Sequence, residues 1–216
     1  MIDTLLKKDL PQAYGLTRPT VQLNYSKLSG FFDLSDSKTC TDCKTTRTNH
    51  SNCDEKVLKV DASNNSITVV EHEAYLNQFA GTQFGKGKKC DYLMCDADTK
   101  LKIVFSELGC YSDNYVEAKQ KTAHLQLCDS IRRFINQSCG ENFVNQFTEK
   151  ILLFGRRDPA IVTTTSTVAK RGDIKGNMQV FLTNAFSKSK NVESQESIDG
   201  ITVKFLIVNF PETYIW

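Results

Sequence analysis

The stretch that decides the fold is CDYLMCDADTKLKIVFSELGC, residues 90–110. Two short apolar runs flank a polar turn at Asp96 to Thr99, which reads as two strands joined end to end. In the second run Leu101, Ile103, Phe105 and Glu107 share one face at a period of two, and Lys102, Val104 and Ser106 share the other. An acid opens the first run (Asp91) and an acid closes the second (Glu107). With the turn between them, both carboxylates fall at the open end of one hairpin, where they can face each other across the ladder. Two acids so placed suit a hard divalent cation, which takes oxygen ligands. The structural alternative is that Asp91 pairs with Lys88 or Lys89 and Glu107 caps or salt-bridges the helix that follows.

Working outward, KVLKVDA and NSITVVEHEAY are rich in strand formers, and ASNNS between them reads as a turn, so a hairpin is expected there. The Gly/Lys loop AGTQFGKGKKC leads into the central stretch. Residues 113–138 carry the longest helical pattern, with Val116, Ala123, Leu127, Ile131 and Phe134 recurring at helical spacing. Ser112 or Asp113 can cap its start and Gly140 its end. KILLFG reads as a buried strand. A strand is expected at Ile161 to Thr165, and NMQVFLTNAF and ITVKFLIVNF read as late strands. SKSKNVESQESIDG reads as a polar connection. The order predicts one domain of α/β (α+β) class, a mixed central sheet with a long helix packed on it. Within 1–216, residues 36–55 form a Cys/His-containing N-terminal insertion, 56–155 the core, and 156–216 C-terminal strands and loops.

Composition bounds the rest. Of 216 residues, 40% are hydrophobic and 24% charged, which is ordinary globular usage. A formal net charge of +2 supplies no global field toward nucleic acid, so any basic surface must be local. No run reaches the ~18 apolar residues of a membrane span. The start MIDTLLKKDLPQ lacks an apolar signal region, so a cytoplasmic protein is expected, with its eight cysteines reduced or bound to metal. Cys40, Cys43, His50 and Cys53 give C-x2-C-x6-H-x2-C in a loop without apolar residues. This is a Cys3His donor set for a structural Zn²⁺; the alternative is a polar loop with incidental thiols.

The segments KKCDYLMCD, KIVFSELGC and VEAKQKTAHLQL, in that order, resemble the PD-(D/E)XK nuclease superfamily, and within it a pattern of prokaryotic defence-type members. The resemblance covers about residues 85–138. It implies a restriction-endonuclease-like fold and Mg²⁺-dependent (or Mn²⁺-dependent) cleavage of DNA in an anti-phage or restriction-type system. Asp91 and Glu107 would bind metal and act in catalysis, with Glu73 as a third ligand and Glu71 behind it. The family's lysine would fall two residues after Glu107, where this chain has Gly109. Family members also supply that amine from the helix, and by helical phase Lys119 is then the catalytic lysine here. Lys86, Lys88, Lys89, Arg156 and Arg157 are the expected nucleic-acid contacts, with a further basic run at Lys170, Arg171 and Lys175. Without the lysine, the fold would instead serve as a degenerate subunit that binds nucleic acid or a protein partner of a defence complex. A homodimer is compatible with either reading.

Overall fold

The computed structural model describes residues 2–17, 20–35, 56–96, 98–110, 116–157 and 192–216. The zinc-ligand set Cys40, Cys43, His50 and Cys53 lies outside the described residues. So do the expected strands at 161–165 and 177–186, the basic residues Lys170, Arg171 and Lys175, and the helix caps at 112–113.

The stretch at 90–110 folds as its alternation predicts. Strands β3 (Tyr92–Cys95) and β4 (Lys102–Cys110) pair antiparallel, with Tyr92 opposite Ser106 and Cys95 opposite Ile103. Asp96 builds the turn. Its carboxylate accepts the backbone N–H of Leu101 at 2.8 Å, and its other oxygen accepts the indole N–H of Trp216 at 3.1 Å. Around this pair the sheet runs β1-β2-β3-β4-β5-β7-β6, with β8 on β2. Here β1 is Tyr25–Ser35, β2 Lys56–Glu71, β5 Glu149–Arg157, β6 Val192–Ile198, β7 Ile201–Asn209 and β8 Thr213–Ile215. Pairs β4–β5 and β5–β7 are parallel, as is β2–β8; the other pairs are antiparallel. The protein is thus a mixed α/β structure on a mixed sheet.

One face carries the helices. They are α1 (Ile2–Thr4) and α2 (Leu10–Ala13), joined by a π-helical turn, then α3 (His72–Asn77), α4 (Val116–Ile135) and α5 (Ser138–Asn145). The α4 stripe of Ala123, Leu127, Ile131 and Phe134 is buried against Ile103, Phe105, Leu152 and Phe154. The second face is covered by the sheet itself. Leu58, Val60 and Ala62 of β2 and Phe32 and Leu34 of β1 form one apolar cluster with Tyr92, Met94, Val104 and Leu153. Two contacts mark the fold-over: Tyr92 donates its hydroxyl to Ser35 O at 3.0 Å, and Leu58 lies directly on Gly155.

Three expectations change. The hairpin expected within 56–75 is one sixteen-residue strand, β2, followed directly by α3. The turn chemistry of ASNNS is real but local. Leu28 pairs with Ile67 and Gly30 with Ala62, so residues 63–66 bulge out opposite Ser29 without reversing the chain. The long helix ends at Ile135, short of Gly140, which lies inside α5 where a Cβ would collide with Phe134 O. Finally, part of the polar connection before 201 is a strand. β6 is an edge strand, so most of its side chains face solvent and hydrophobic alternation is absent. It joins β7 through Asp199 (φ 48°) and Gly200 (φ 90°), the positive-φ pair that a two-residue hairpin prefers. No helix among the described residues is long and apolar enough to cross a membrane.

Candidate functional site

Asp91 and Glu107 stand one step beyond the Tyr92–Ser106 pair, opposite each other at the open end of the hairpin. By strand alternation they take the face of Leu93 and Phe105, the helix-covered side. Both are nearly buried, at 7% and 9% exposure. Asp91 Oδ2 accepts the backbone N–H of Leu108 at 2.8 Å, which ties the first acid to the strand bearing the second. Glu107 Oε1 accepts Gln126 Nε2 at 2.6 Å, and the same amide also donates to Lys89 O at 3.1 Å. Gln126 therefore pins α4 to both arms of the hairpin at the level of the acids. The backbone beneath is fixed as well: Cys90 N–H donates to Ser130 Oγ at 2.9 Å. Burial pushes the Cys90 thiol far above its ordinary range, and the two acids add to the effect.

Glu73 reaches this neighbourhood from α3 rather than from a strand, because regular pairing of β2 stops at Glu71. The N–H groups of His72 and Glu73 both point at Asp91 O, at 2.8 and 3.4 Å. That bend places Glu73, partly exposed, beside the Asp91 backbone. His72, between Glu71 and Glu73, is fully buried among Tyr75, Phe105 and Phe134.

The basic residues separate. Lys86 and Lys88 are exposed on the loop before Asp91. Lys89 donates to Asn77 Oδ1 at 2.6 Å, and burial followed by the Arg133 charge lowers its pKa. Arg157, expected on the surface, is 5% exposed, with its guanidinium 5.2 Å from the Phe210 ring centroid on the other side of the sheet. Alternation sends neighbouring residues to opposite faces, so only one of the two arginines can share the face of Glu107. That residue is Arg156. It pairs with Gly109 in the parallel ladder, two residues beyond the Glu107–Phe154 pair. It is partly exposed and donates to Asn209 Oδ1 at 3.5 Å. Lys119 is exposed on α4, two turns or about 10.5 Å of axial rise before Gln126, with nearly the same phase.

The structure thus sets Asp91 and Glu107 opposite each other at one end of the sheet, with the Glu73 backbone beside Asp91 and Arg156 one strand across; among the described residues the three carboxylates do not form a group with all donor atoms within 4.8 Å of one another. It adds Gln126, which sequence reasoning passed over although it stands in the Gln-Leu of the quoted helix. Gly109, at the position of the motif lysine, pairs with Arg156 of β5. The donors are carboxylate oxygens, the chemistry a hard cation such as Mg²⁺ prefers. Comparisons with protein-family models, with curated proteins and with solved structures find no match to this chain.

Proposed function

We propose that the chain is a Mg²⁺-dependent phosphodiesterase that cleaves DNA, on a core of the PD-(D/E)XK kind, in a prokaryotic anti-phage or restriction-type setting. The observation that carries the reading is the pairing of Asp91 and Glu107 across one hairpin end, held by Leu108 N–H and Gln126. Asp91, Glu107 and Glu73 would hold the ion. When bound, Mg²⁺ neutralises phosphate charge and lowers the pKa of water. Gln126 keeps the Glu107 carboxylate turned toward the site. Lys86 and Lys88 approach the phosphate backbone from the preceding loop. Arg156 or Lys119 supplies the cation that stabilises negative charge developing on the phosphoryl oxygens.

The test is cleavage of linear and nicked DNA with Mg²⁺ or Mn²⁺, comparing wild type with Asp91→Asn. Metal-dependent cleavage lost in the variant is expected. Wild-type protein inert with either metal, yet retaining DNA in a binding assay, would favour the second reading, a degenerate binding subunit. Gly109 in place of the motif lysine is the observation behind that reading.

A further inference from the structure

A second cluster lies on the other flank of α4. His124 and Cys128, one helical turn apart, face Glu196 of the edge strand β6. Their donor atoms all lie within 4.8 Å of one another. His124 Nε2 is 2.8 Å from Glu196 Oε1 and 3.7 Å from Cys128 Sγ. Gln126, between them in sequence, points the opposite way to Glu107, so this cluster is separate from the acid pair.

We infer that His124, Cys128 and Glu196 form a Zn²⁺ site that clamps the edge strand β6 to α4. The triangle suits the ion. Tetrahedral zinc with ~2.0 Å bonds to nitrogen and oxygen and ~2.3 Å to sulfur separates its nitrogen and oxygen ligands by ~3.3 Å and its nitrogen and sulfur ligands by ~3.5 Å. The Nε2–oxygen and Nε2–sulfur separations each lie within about half an ångström of those values, but Cys128 Sγ is 3.7 Å from both ring nitrogens, so the Cys128 side chain or the imidazole must also turn for the thiolate to enter the tetrahedron. The mixed thiolate, imidazole and carboxylate set selects a borderline-soft ion over Mg²⁺. Helical spacing i, i+4 holds two ligands on a rigid element. The T-shaped contact of the His124 ring with Phe205, at 5.0 Å between centroids, fixes the imidazole plane. Cys128 is buried, while the His124 and Glu196 side chains are about one third exposed, so the fourth position opens to water. Arg132, the next cation along the helix, is engaged by Asp199 at 3.2 Å and Asp129 at 3.7 Å. Its charge at the cluster is offset.

The experiment must separate this site from the Cys40, Cys43, His50 and Cys53 set. The full chain carrying Cys40→Ser, Cys43→Ser and Cys53→Ser is dialysed against Zn²⁺ and its metal content measured, alone and with Cys128→Ser or Glu196→Gln added. One zinc per chain is expected in the triple variant, with affinity at least ~100-fold weaker after either addition. Co²⁺ should give a thiolate charge-transfer band that Cys128→Ser abolishes. If the triple variant does not fold, wild type, His124→Gln and Glu196→Gln are compared by the same Co²⁺ titration, and a loss of one ion per chain is expected. A folded triple variant that retains no zinc, or a metal content unchanged by the substitutions, would overturn the site.

Discussion

Gly109 puts the sharpest demand on its neighbours. Catalysis at the acid pair needs a cation, and two residues compete for the place. Lys119 has the right helical phase, but the axial rise of two turns separates it from Gln126. Arg156 lies one strand across, on the face of Glu107 and opposite the glycine. If the site is active, Arg156→Ala should slow cleavage about 10²–10³-fold, the usual cost of removing one charge-stabilising donor. Lys119→Ala should cost less than about tenfold. Single-turnover rates at saturating metal decide between them, and the reverse ranking would assign the role to the helix. His72 sets a second, unrelated expectation. Burial first, then the Arg133 charge, lowers its imidazole to about 3, against 6.5 in an unfolded chain. Between those values the unfolded chain binds a proton that the native state refuses. Stability should therefore fall as pH drops from about 6.5 toward 3, by up to ~1.4 kcal/mol per pH unit, with no contribution above that window. Urea titrations with chelator present should show this slope in wild type and a flatter one in His72→Leu.

Among the elements, close approach between layers is the test of packing. A Cβ on Gly155 would lie 2.8 Å from Leu108 Cδ2 and 3.0 Å from Leu58 Cβ. Gly155→Ala should thus destabilise by ~1–3 kcal/mol in urea unfolding, and Leu108→Val in the same chain should recover part of the loss. The elements also show what a single sequence can and cannot reveal. Alternation along β4 and the stripe of α4 were readable because each buries one face against a distinct partner; Ile103, Phe105, Leu127 and Ile131 all lie in the core. The β2 bulge was not, because ASNNS has turn chemistry whether or not the chain reverses. Only the pairing of Leu28 and Gly30 around it distinguishes the two outcomes. β6 escaped for want of a buried face, although Asp199-Gly200 marked its hairpin. At the site the acids were readable as residues. The contribution of Gln126 depended on where α4 docks, and docking is a tertiary property that helical phase leaves open.

At the scale of the whole molecule, β2 belongs to both layers. Its second half pairs with β3 in the central sheet, and its first half turns over the far face, where β8 joins it in parallel. The partners there are as distant along the chain as Lys59 and Thr213. Closing so long a loop costs entropy before any contact repays it, so this corner should assemble after the local β3–β4 and β6–β7 hairpins. Contacts absent from the transition state affect unfolding speed and leave folding speed nearly untouched. Tyr214→Ala, at a side chain only 6% exposed, should therefore steepen the decay of native protein after a jump into denaturant while refolding proceeds at almost the wild-type rate. Equal slowing of refolding would place this corner in the nucleus. With refolding unaffected, the strand that joins the two layers acts as the timing element of the fold: the sheet carrying the acids forms early, and the far layer sets how long it lasts.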